Sequence, residues 1–164
     1  MDFEQVYNEY FNKIFAYISV RVRSPQEAQD VAAVVWQNVF KNLSSYDAAK
    51  GNVSQWLFTI ARNQVNSHYR FYHVKKFFSL GETEENIPQA DTPIPDALAM
   101  EEEKQRLFLA VKDLSRREQD LISLKFYSGL NNRQIASLCN LSEGNVGTIL
   151  NRSMQKLRTA LEVL

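Results

Sequence analysis

Apolar residues recur every three or four positions through the first part of the chain, which is the pattern of amphipathic helices with one buried face. A first helix is predicted over Phe3 to Val22. Residues 24–27, with the sequence SPQE, then supply an N-cap serine, a proline at the first helical position and a capping-box glutamate. A second helix is therefore predicted from this motif to about Leu43.

A third helix is predicted to start near Val53, because Gly51 breaks the preceding segment and an apolar period resumes after it. The positions predicted to face inward are Trp56, Leu57, Ile60 and Ala61. The opposite side is polar and becomes basic toward its end, and its members are Thr59, Arg62, Asn63, Asn66 and Arg70. By this period Trp56 is mainly a core residue, and a nucleic-acid contact is its secondary role.

The stretch NNRQIASLCNLSEGNVGTILNRSMQKLR at residues 131–158 predicts a helix-turn-helix. Ile135 and Ala136 lie where an aliphatic and a small residue let two helices cross closely. Asn140 begins the turn, since asparagine adopts positive φ at low cost. Leu141 is predicted to be the buried plug of the turn. Ser142 is predicted to be the N-cap of the second helix.

The second helix of this motif separates apolar from polar residues. Its apolar face carries Val146, Leu150, Leu157, Leu161 and Leu164. Its opposite face is polar and basic, and consists of Asn145, Thr148, Asn151, Arg152, Gln155 and Lys156. Short hydrogen-bonding side chains on such a face suit a helix that enters the major groove of DNA. The structural alternative is a solvated face on the last hairpin of an all-α core.

Charges are segregated along the chain, although its formal net charge is zero. No acidic residue lies between Asp47 and Glu82, where five basic residues fall: Lys50, Arg62, Arg70, Lys75 and Lys76. Arg62 therefore has few local ion-pair partners, which favours a DNA contact over a surface ion pair. From Glu82 to Glu103 there is no lysine or arginine. Because phosphate attraction is local, two basic zones around an acidic segment predict two DNA-facing modules.

Residues 79–97, SLGETEENIPQADTPIPDA, hold three of the four prolines, are acidic and lack an apolar period. This composition predicts an extended linker. The predicted fold class is all-α, with two small helical domains joined by an acidic, proline-containing linker. The predicted boundaries are residues 1–78 for the first domain, 79–97 for the linker and 98–164 for the helix-turn-helix domain.

Composition excludes several classes of protein. The single cysteine, Cys139, excludes an internal disulfide and a cysteine-rich zinc site, and it is expected to pack as a small apolar residue. His68 and His73 are five positions apart without an acid or cysteine beside them, so no metal site is predicted. No apolar run approaches the roughly 20 residues of a membrane span. The N-terminus lacks a signal pattern, so membrane insertion is not expected and the expected location is the cytoplasm.

Three segments together resemble a known family. WLFTIARNQVNSHYR, at residues 56–70, resembles the segment of bacterial sigma factors that reads the promoter −10 element. AQDVAAVVWQNVF, at residues 28–40, is similar to their polymerase-binding helix, and residues 142–158 resemble their −35 reader. The order, spacing and linker resemble those of extracytoplasmic-function sigma factors over nearly the whole chain. Ala33 and Val34 stand where relatives usually carry a glutamine and an acidic residue.

The resemblance implies an initiation factor that is not an enzyme and needs no cofactor. It implies three kinds of partner. These are core RNA polymerase (the clamp helices of its largest subunit and the flap of its second-largest subunit), promoter DNA, and an anti-sigma protein. The residues implied in core polymerase binding are Asp30, Ala33, Val34, Gln37 and Lys41.

Two sets of DNA-binding residues are also implied by the resemblance. The −10 set would hold a flipped base and border the separated strand, and it comprises Ser45, Tyr46, Asp47, Lys50, Asn52, Trp56, Arg62, Asn63, Asn66 and Arg70. The −35 set comprises Glu143, Asn145, Thr148, Asn151, Arg152 and Lys156. Promoter sequence preference does not carry over, because Ser67, Gly147 and Ile149 depart from the family pattern.

Two other functions remain open at the level of sequence. A conventional helix-turn-helix regulator would bind a palindromic operator without polymerase. A sigma-like interaction protein would occupy polymerase or a regulator without opening promoters. A catalytic function would need a clustered nucleophile, acid–base pair or metal set, and the sequence supplies none.

Overall fold

The computed structural model describes residues 1–78 and 101–162, and in these ranges the chain is helical, without a strand. The α-helices are α1 (Phe3–Arg21), α2 (Pro25–Asn42), α3 (Val53–Phe78), α4 (Glu102–Lys112), α5 (Arg116–Tyr127), α6 (Asn132–Cys139) and α7 (Glu143–Glu162), with a short 3-10 turn at Leu43–Ser45. The predicted all-α class is confirmed. No helix in the described ranges is both long and apolar enough to span a bilayer. We call residues 1–78 the N-lobe and residues 101–162 the C-lobe.

The start of α2 follows the sequence motif. The Ser24 hydroxyl accepts a hydrogen bond from the Glu27 amide at 3.1 Å, and Pro25 occupies the first turn. Glu27 differs in detail from a capping box, because its Oε2 accepts from the Arg23 amide at 3.0 Å, one residue before the cap. The Ser24 contact satisfies an amide that the first turn of a helix leaves without a partner, and the Glu27 contact satisfies the amide of the residue before the cap.

The N-lobe core forms where α1, α2 and α3 pack together. The inward face of α3 consists of Leu57, Phe58, Ala61 and Val65, which are all fully buried. The inward positions predicted for α3 all pack on the core, although Trp56 and Ile60 are only half-buried, and the prediction missed Phe58. A helix that contacts neighbours on more than one side buries a wider face than a single period indicates.

The helix-turn-helix is formed by α6 and α7, as predicted. Asn140 has φ 56°, and the Ser142 hydroxyl accepts from the Asn145 amide at 3.1 Å as the N-cap of α7. Ile135 and Ala136 are buried at the helix crossing, and Leu141 packs half-buried against the core. The turn chemistry inferred from sequence is therefore confirmed.

The buried face of α7 differs at its ends from the predicted stripe. It consists of Val146, Ile149, Leu150, Ser153 and Leu157. Leu161 was predicted to be buried but is 38% exposed, because it lies at the rim of an apolar groove. Leu164 lies outside the described residues.

The two lobes pack against each other mainly through α1 and α5, with smaller contacts of α1 with α4 and of α3 with α6. Val20 and Val22 of the N-lobe join Val111, Leu114 and Leu121 of the C-lobe in one continuous apolar cluster. The predicted linker at residues 79–97 lies outside the described residues. The described part of the molecule is thus a closed arrangement of both lobes.

Candidate nucleic-acid and polymerase interfaces

The predicted −35 residues share the outer face of α7. All of them are exposed: Glu143, Asn145, Thr148, Asn151, Arg152 and Lys156. The Thr148 hydroxyl donates to the Gly144 carbonyl at 3.0 Å, one turn earlier on α7. Lys156 Nζ lies 2.6 Å from Glu118 Oε1, so this lysine is shared between an acid of α5 and the outer face. The arrangement presents amide and guanidinium donors on one side of one helix.

Two glycines lie among these residues in the first turns of α7. A Cβ atom built at Gly144 would meet nothing within 4 Å, and one built at Gly147 would meet only Asn132 Nδ2 at 3.9 Å. Neither glycine is required by packing within the described chain. Glycine in a helix interior costs about 1 kcal/mol relative to alanine.

The predicted −10 loop is compact. The Tyr46 hydroxyl donates to the Gly51 carbonyl at 3.0 Å, and its ring packs 5.4 Å from the ring of Trp56. Asp47 Oδ1 accepts from the Ala49 amide at 3.0 Å. The remaining predicted loop residues, Ser45, Lys50 and Asn52, are exposed. The loop therefore places a half-buried aromatic pair beside exposed polar groups.

The polar strip of α3 is divided between solvent and the C-lobe. Asn63 and Arg70 are exposed. Arg62 is half-buried, and its Nε donates to Asp120 Oδ2 at 2.9 Å. Burial disfavours the charged guanidinium, but the Asp120 carboxylate outweighs burial and raises the pKa of Arg62. Asn66 Oδ1 accepts from Arg21 Nη2 at 3.3 Å.

Tyr17, Arg21 and Asp120 meet at the same place and were not predicted from the sequence. Tyr17 and Arg21 both donate to Asp120 Oδ1, at 2.7 Å and 2.6 Å. Burial and the Asp120 carboxylate raise the pKa of Tyr17 well above its ordinary value, so its hydroxyl stays a donor. The sequence signal for this cluster was weak, because Arg21 ends an apolar stripe and Asp120 lies about 100 residues away.

The predicted polymerase-binding residues form one exposed face of α2. This face contains Asp30, Ala33, Val34, Gln37 and Lys41. Val34 is 37% exposed and the neighbouring Phe40 is 67% exposed, so the face mixes apolar and charged groups. Asp30 Oδ1 accepts from Gln26 Nε2 at 3.0 Å, one turn earlier on the same face.

An apolar groove of about 690 Å³ lies beside α4, α5 and α7, with Val20 of α1 at one edge. Its exposed apolar side chains include Leu107, Phe126 and Met154, and Lys104 and Arg158 border it. Exposed apolar surface of this kind is typical of protein-binding sites.

Cys139 and His68 take no part in a metal site in the described chain, where no cluster of three or more potential ligands occurs. Cys139 is half-buried, and burial raises the pKa of its thiol to about 11. His68 Nε2 lies 3.6 Å from Glu27 Oε2 on the N-lobe surface.

Two family models match consecutive parts of the chain. Sigma-70 region 2 matches residues 6–72, and Sigma-70, region 4 matches residues 104–157. Among curated proteins, the chain is 26% identical over 162 residues to the ECF RNA polymerase sigma factor RpoE of Cereibacter sphaeroides, covering 95% of this chain and 84% of that protein. It is 24% identical over 159 residues to BldN of Streptomyces coelicolor, also named an ECF RNA polymerase sigma factor. That match covers 97% of this chain and 60% of the relative.

Solved structures share the fold. The sigma factor RpoE of Bartonella quintana, crystallised with the anti-sigma factor NepR, superposes with a TM-score of 0.78 at 23% identity, covering 99% of this chain and 98% of that one. CnrH, solved with the cytosolic domain of CnrY, superposes with a TM-score of 0.68 at 18% identity, covering 98% and 88%. With both regions present in the expected order, the chain belongs to the extracytoplasmic-function sigma factors, a family of promoter-specific initiation factors of RNA polymerase and not a family of enzymes.

Proposed function

We propose that this protein binds core RNA polymerase and directs it to promoters by reading −35 duplex DNA with α7 and melted −10 DNA with α3 and the preceding loop. The observation that carries the proposal is the shared, exposed face of α7 that holds Asn145, Thr148, Asn151 and Arg152. Amide and guanidinium groups can form paired hydrogen bonds with base edges in the major groove. The protein acts by binding, in the cytoplasm where polymerase works, and catalyses no step itself.

Two surfaces are assigned to polymerase in this proposal. The exposed face of α2 around Asp30, Val34 and Lys41 would dock on the clamp helices of the largest subunit. Ala33 and Val34 supply apolar contact area in place of polar groups. The apolar groove beside α4 and α7 would take the flap of the second-largest subunit, because its exposed Leu107 and Phe126 suit an apolar segment.

An anti-sigma protein is proposed as a further partner. The solved relatives RpoE and CnrH were captured with the anti-sigma factor NepR and with the cytosolic domain of CnrY, respectively. The chain has the same fold across both lobes, which supports the same kind of control. A pull-down from the source organism with the full chain as bait, followed by mass spectrometry, would identify such a partner.

Single substitutions test whether the two DNA surfaces have separate roles. Arg152→Ala removes a donor from the outer face of α7, so it should lower binding of the holoenzyme to promoter duplex at least tenfold. Asn63→Ala removes an exposed amide from α3, so it should lower promoter opening more than closed-complex binding. Gel shifts measure binding, and permanganate reactivity of unpaired thymines measures opening.

Matched controls exist on the exposed surface of α1. Lys13→Ala removes one positive charge, and Asn12→Ala removes one amide, both at exposed sites outside the two DNA surfaces. Each control should leave binding and opening within twofold of the unmodified protein. Equal losses at both steps in Arg152→Ala and Asn63→Ala would overturn the separate assignments.

A further inference from the structure

An acidic side chain of the C-lobe is buried among cationic and polar groups of the N-lobe. Asp120, on α5, is 6% exposed. Its Oδ1 accepts from Tyr17 Oη at 2.7 Å and from Arg21 Nη1 at 2.6 Å, and its Oδ2 accepts from Arg62 Nε at 2.9 Å. Three donors from α1 and α3 therefore converge on one carboxylate from the other lobe. Charge-assisted hydrogen bonds of this kind are stronger than neutral ones.

The groups that hold Asp120 overlap the strip assigned to melted DNA. Arg62 and Asn66 belong to that strip, while Asn63 and Arg70 of the same strip remain exposed. Arg21 joins the carboxylate to the strip, because its Nη2 donates to Asn66 Oδ1 at 3.3 Å. In the closed arrangement, α5 thus covers part of the surface that would meet the DNA backbone.

Arg21 retains a donor that the carboxylate does not use. Its side chain is 4% exposed, and its Nε has no hydrogen-bond partner within the described part of the chain. A buried donor without a partner is costly, so its persistence calls for an explanation. A DNA phosphodiester presents two anionic oxygens, as a carboxylate does, and adds two ester oxygens that accept weakly; guanidinium groups bind both kinds of anion through paired hydrogen bonds. The donor set therefore suits a phosphodiester at least as well as it suits Asp120.

We propose that Tyr17, Arg21, Arg62 and Asn66 form a binding site for a DNA phosphodiester, and that Asp120 occupies this site in the free protein as an internal competitor. The proposal rests on the assignment of the α3 strip to DNA. One anion fills the space between the two arginines, so DNA enters only when α5 withdraws and the lobes separate.

Asp120 supplies the negative charge that faces the two arginines, alongside other contacts between the lobes. The Ser54 hydroxyl donates to the Ser128 carbonyl at 2.6 Å, Lys112 Nζ donates to the Val22 carbonyl, and apolar side chains of α1 and α5 share one core. The Arg116 guanidinium lies 3.7 Å from the centre of the Tyr69 ring and 3.4 Å from His73 Nε2. If Asp120 loses its charge, the two arginines remain at the interface without a counter-ion. Removing one partner of a buried ion pair strongly destabilises the arrangement that buries the other. Neutralising Asp120 should consequently open the lobes and free the arginines for DNA.

The experiment compares the full chain with its Asp120→Asn variant. Dyes on cysteines introduced at the exposed positions Asn12 and Ser137, in a Cys139→Ser background, report the distance between the lobes by energy transfer. Fluorescence anisotropy reports binding to a labelled 20-nucleotide single-stranded DNA of mixed sequence. Asp120→Asn should increase the distance and tighten DNA binding at least tenfold. Glu103→Gln, which removes one exposed negative charge from the same lobe, should change affinity less than twofold.

A double variant tests whether DNA binds to the arginines that are released from Asp120. Adding Arg62→Ala to Asp120→Asn should keep the lobes apart but remove most of the gain in affinity. If the increase in DNA affinity persists when Arg62→Ala is added, the phosphodiester site is refuted. If Asp120→Asn changes neither the distance between the lobes nor the DNA affinity, the role of Asp120 as a competitor is refuted. If circular dichroism shows that Asp120→Asn does not fold, the single variant Arg62→Ala tests the proposal by the same two measurements. It should increase the distance without tightening DNA binding, and an unchanged distance would refute the proposal.

A transcription assay shows whether a negative result refutes the role of Asp120 as a competitor or the proposed promoter function. Transcription by core polymerase with the unmodified protein tests promoter function and does not depend on how the lobes respond to Asp120. Transcripts together with an unresponsive Asp120→Asn variant would overturn only the competitor. Opening and tighter DNA binding without transcripts would keep the competitor and overturn promoter-specific initiation.

Discussion

Replacing Gly147 by alanine should stabilise the protein while weakening its reading of the −35 element. Gly147 is the fifth residue of α7, and a Cβ atom there meets only Asn132 Nδ2, at an ordinary contact distance of 3.9 Å. The substitution therefore causes no steric clash, and α7 gains the full difference in helix propensity between alanine and glycine. That difference is about 1 kcal/mol in favour of alanine.

Urea denaturation of the full chain measures this gain. An increase of about 1 kcal/mol in the free energy of unfolding corresponds to a rise of about 2–4 °C in Tm for a chain of this size. Gly144→Ala is the matched control, because a Cβ there meets nothing within 4 Å and the residue lies in the first turn of α7. Propensity acts most strongly in helix interiors, so the control should gain less than Gly147→Ala.

Promoter activity of Gly147→Ala shows whether the glycine is needed for DNA contact, because packing within the protein does not need it. Since no neighbour in the described chain requires glycine at 147, we attribute its cost to close approach between α7 and the DNA backbone. Gly147→Ala should then reduce transcription from a −35-dependent promoter severalfold despite its higher stability. A variant that is no more stable than the original would refute the energetic reasoning. A more stable variant with full promoter activity would refute the close approach.

Burial shifts the pKa values of Cys139 and Lys112 far enough to be measured in solution. With a pKa of about 11 for its thiol, Cys139 should react with iodoacetamide at pH 8 about 100-fold more slowly than a cysteine at its ordinary value of 9, and urea should restore the rate. Reaction at the ordinary rate in the folded protein would contradict this burial. Burial lowers the pKa of Lys112 to about 8 from 10.5, so the unfolded chain binds more protons between those values, and this group makes stability rise with pH there. Denaturant titrations should show a more positive slope for the original protein than for Lys112→Met across that window, and equal slopes would refute the assignment.

Local chemistry explains why much of the fold was predictable from sequence. The SPQE motif set the start of α2, and Asn140 and Ser142 set the turn before α7, because capping and positive φ depend on residues a few positions apart. The same locality explains the error at α3. The period placed Trp56 inward, where it packs half-buried against the core, but it missed Phe58, which packing on several sides buries.

Contacts between the lobes could not be predicted in this way. Asp120 meets Arg62 across 58 positions and Tyr17 across 103, so no spacing rule relates them. The absence of acidic residues near Arg62 in the sequence correctly excluded a local ion pair. It gave no information about an ion pair with a residue far away in the sequence, such as Asp120. The exposed face of α7 agreed with the prediction because the periodicity of a single amphipathic helix is enough to tell its buried face from its exposed face.

If this chain makes core polymerase initiate at specific promoters, run-off transcription will reveal those promoters. The assay uses fragmented genomic DNA and purified core polymerase in the presence and absence of the protein. We expect new discrete transcripts only when the protein is present, with start sites that share paired upstream elements. Absence of such transcripts, although the protein binds core polymerase, would contradict this expectation and favour an interaction protein that occupies polymerase without opening promoters.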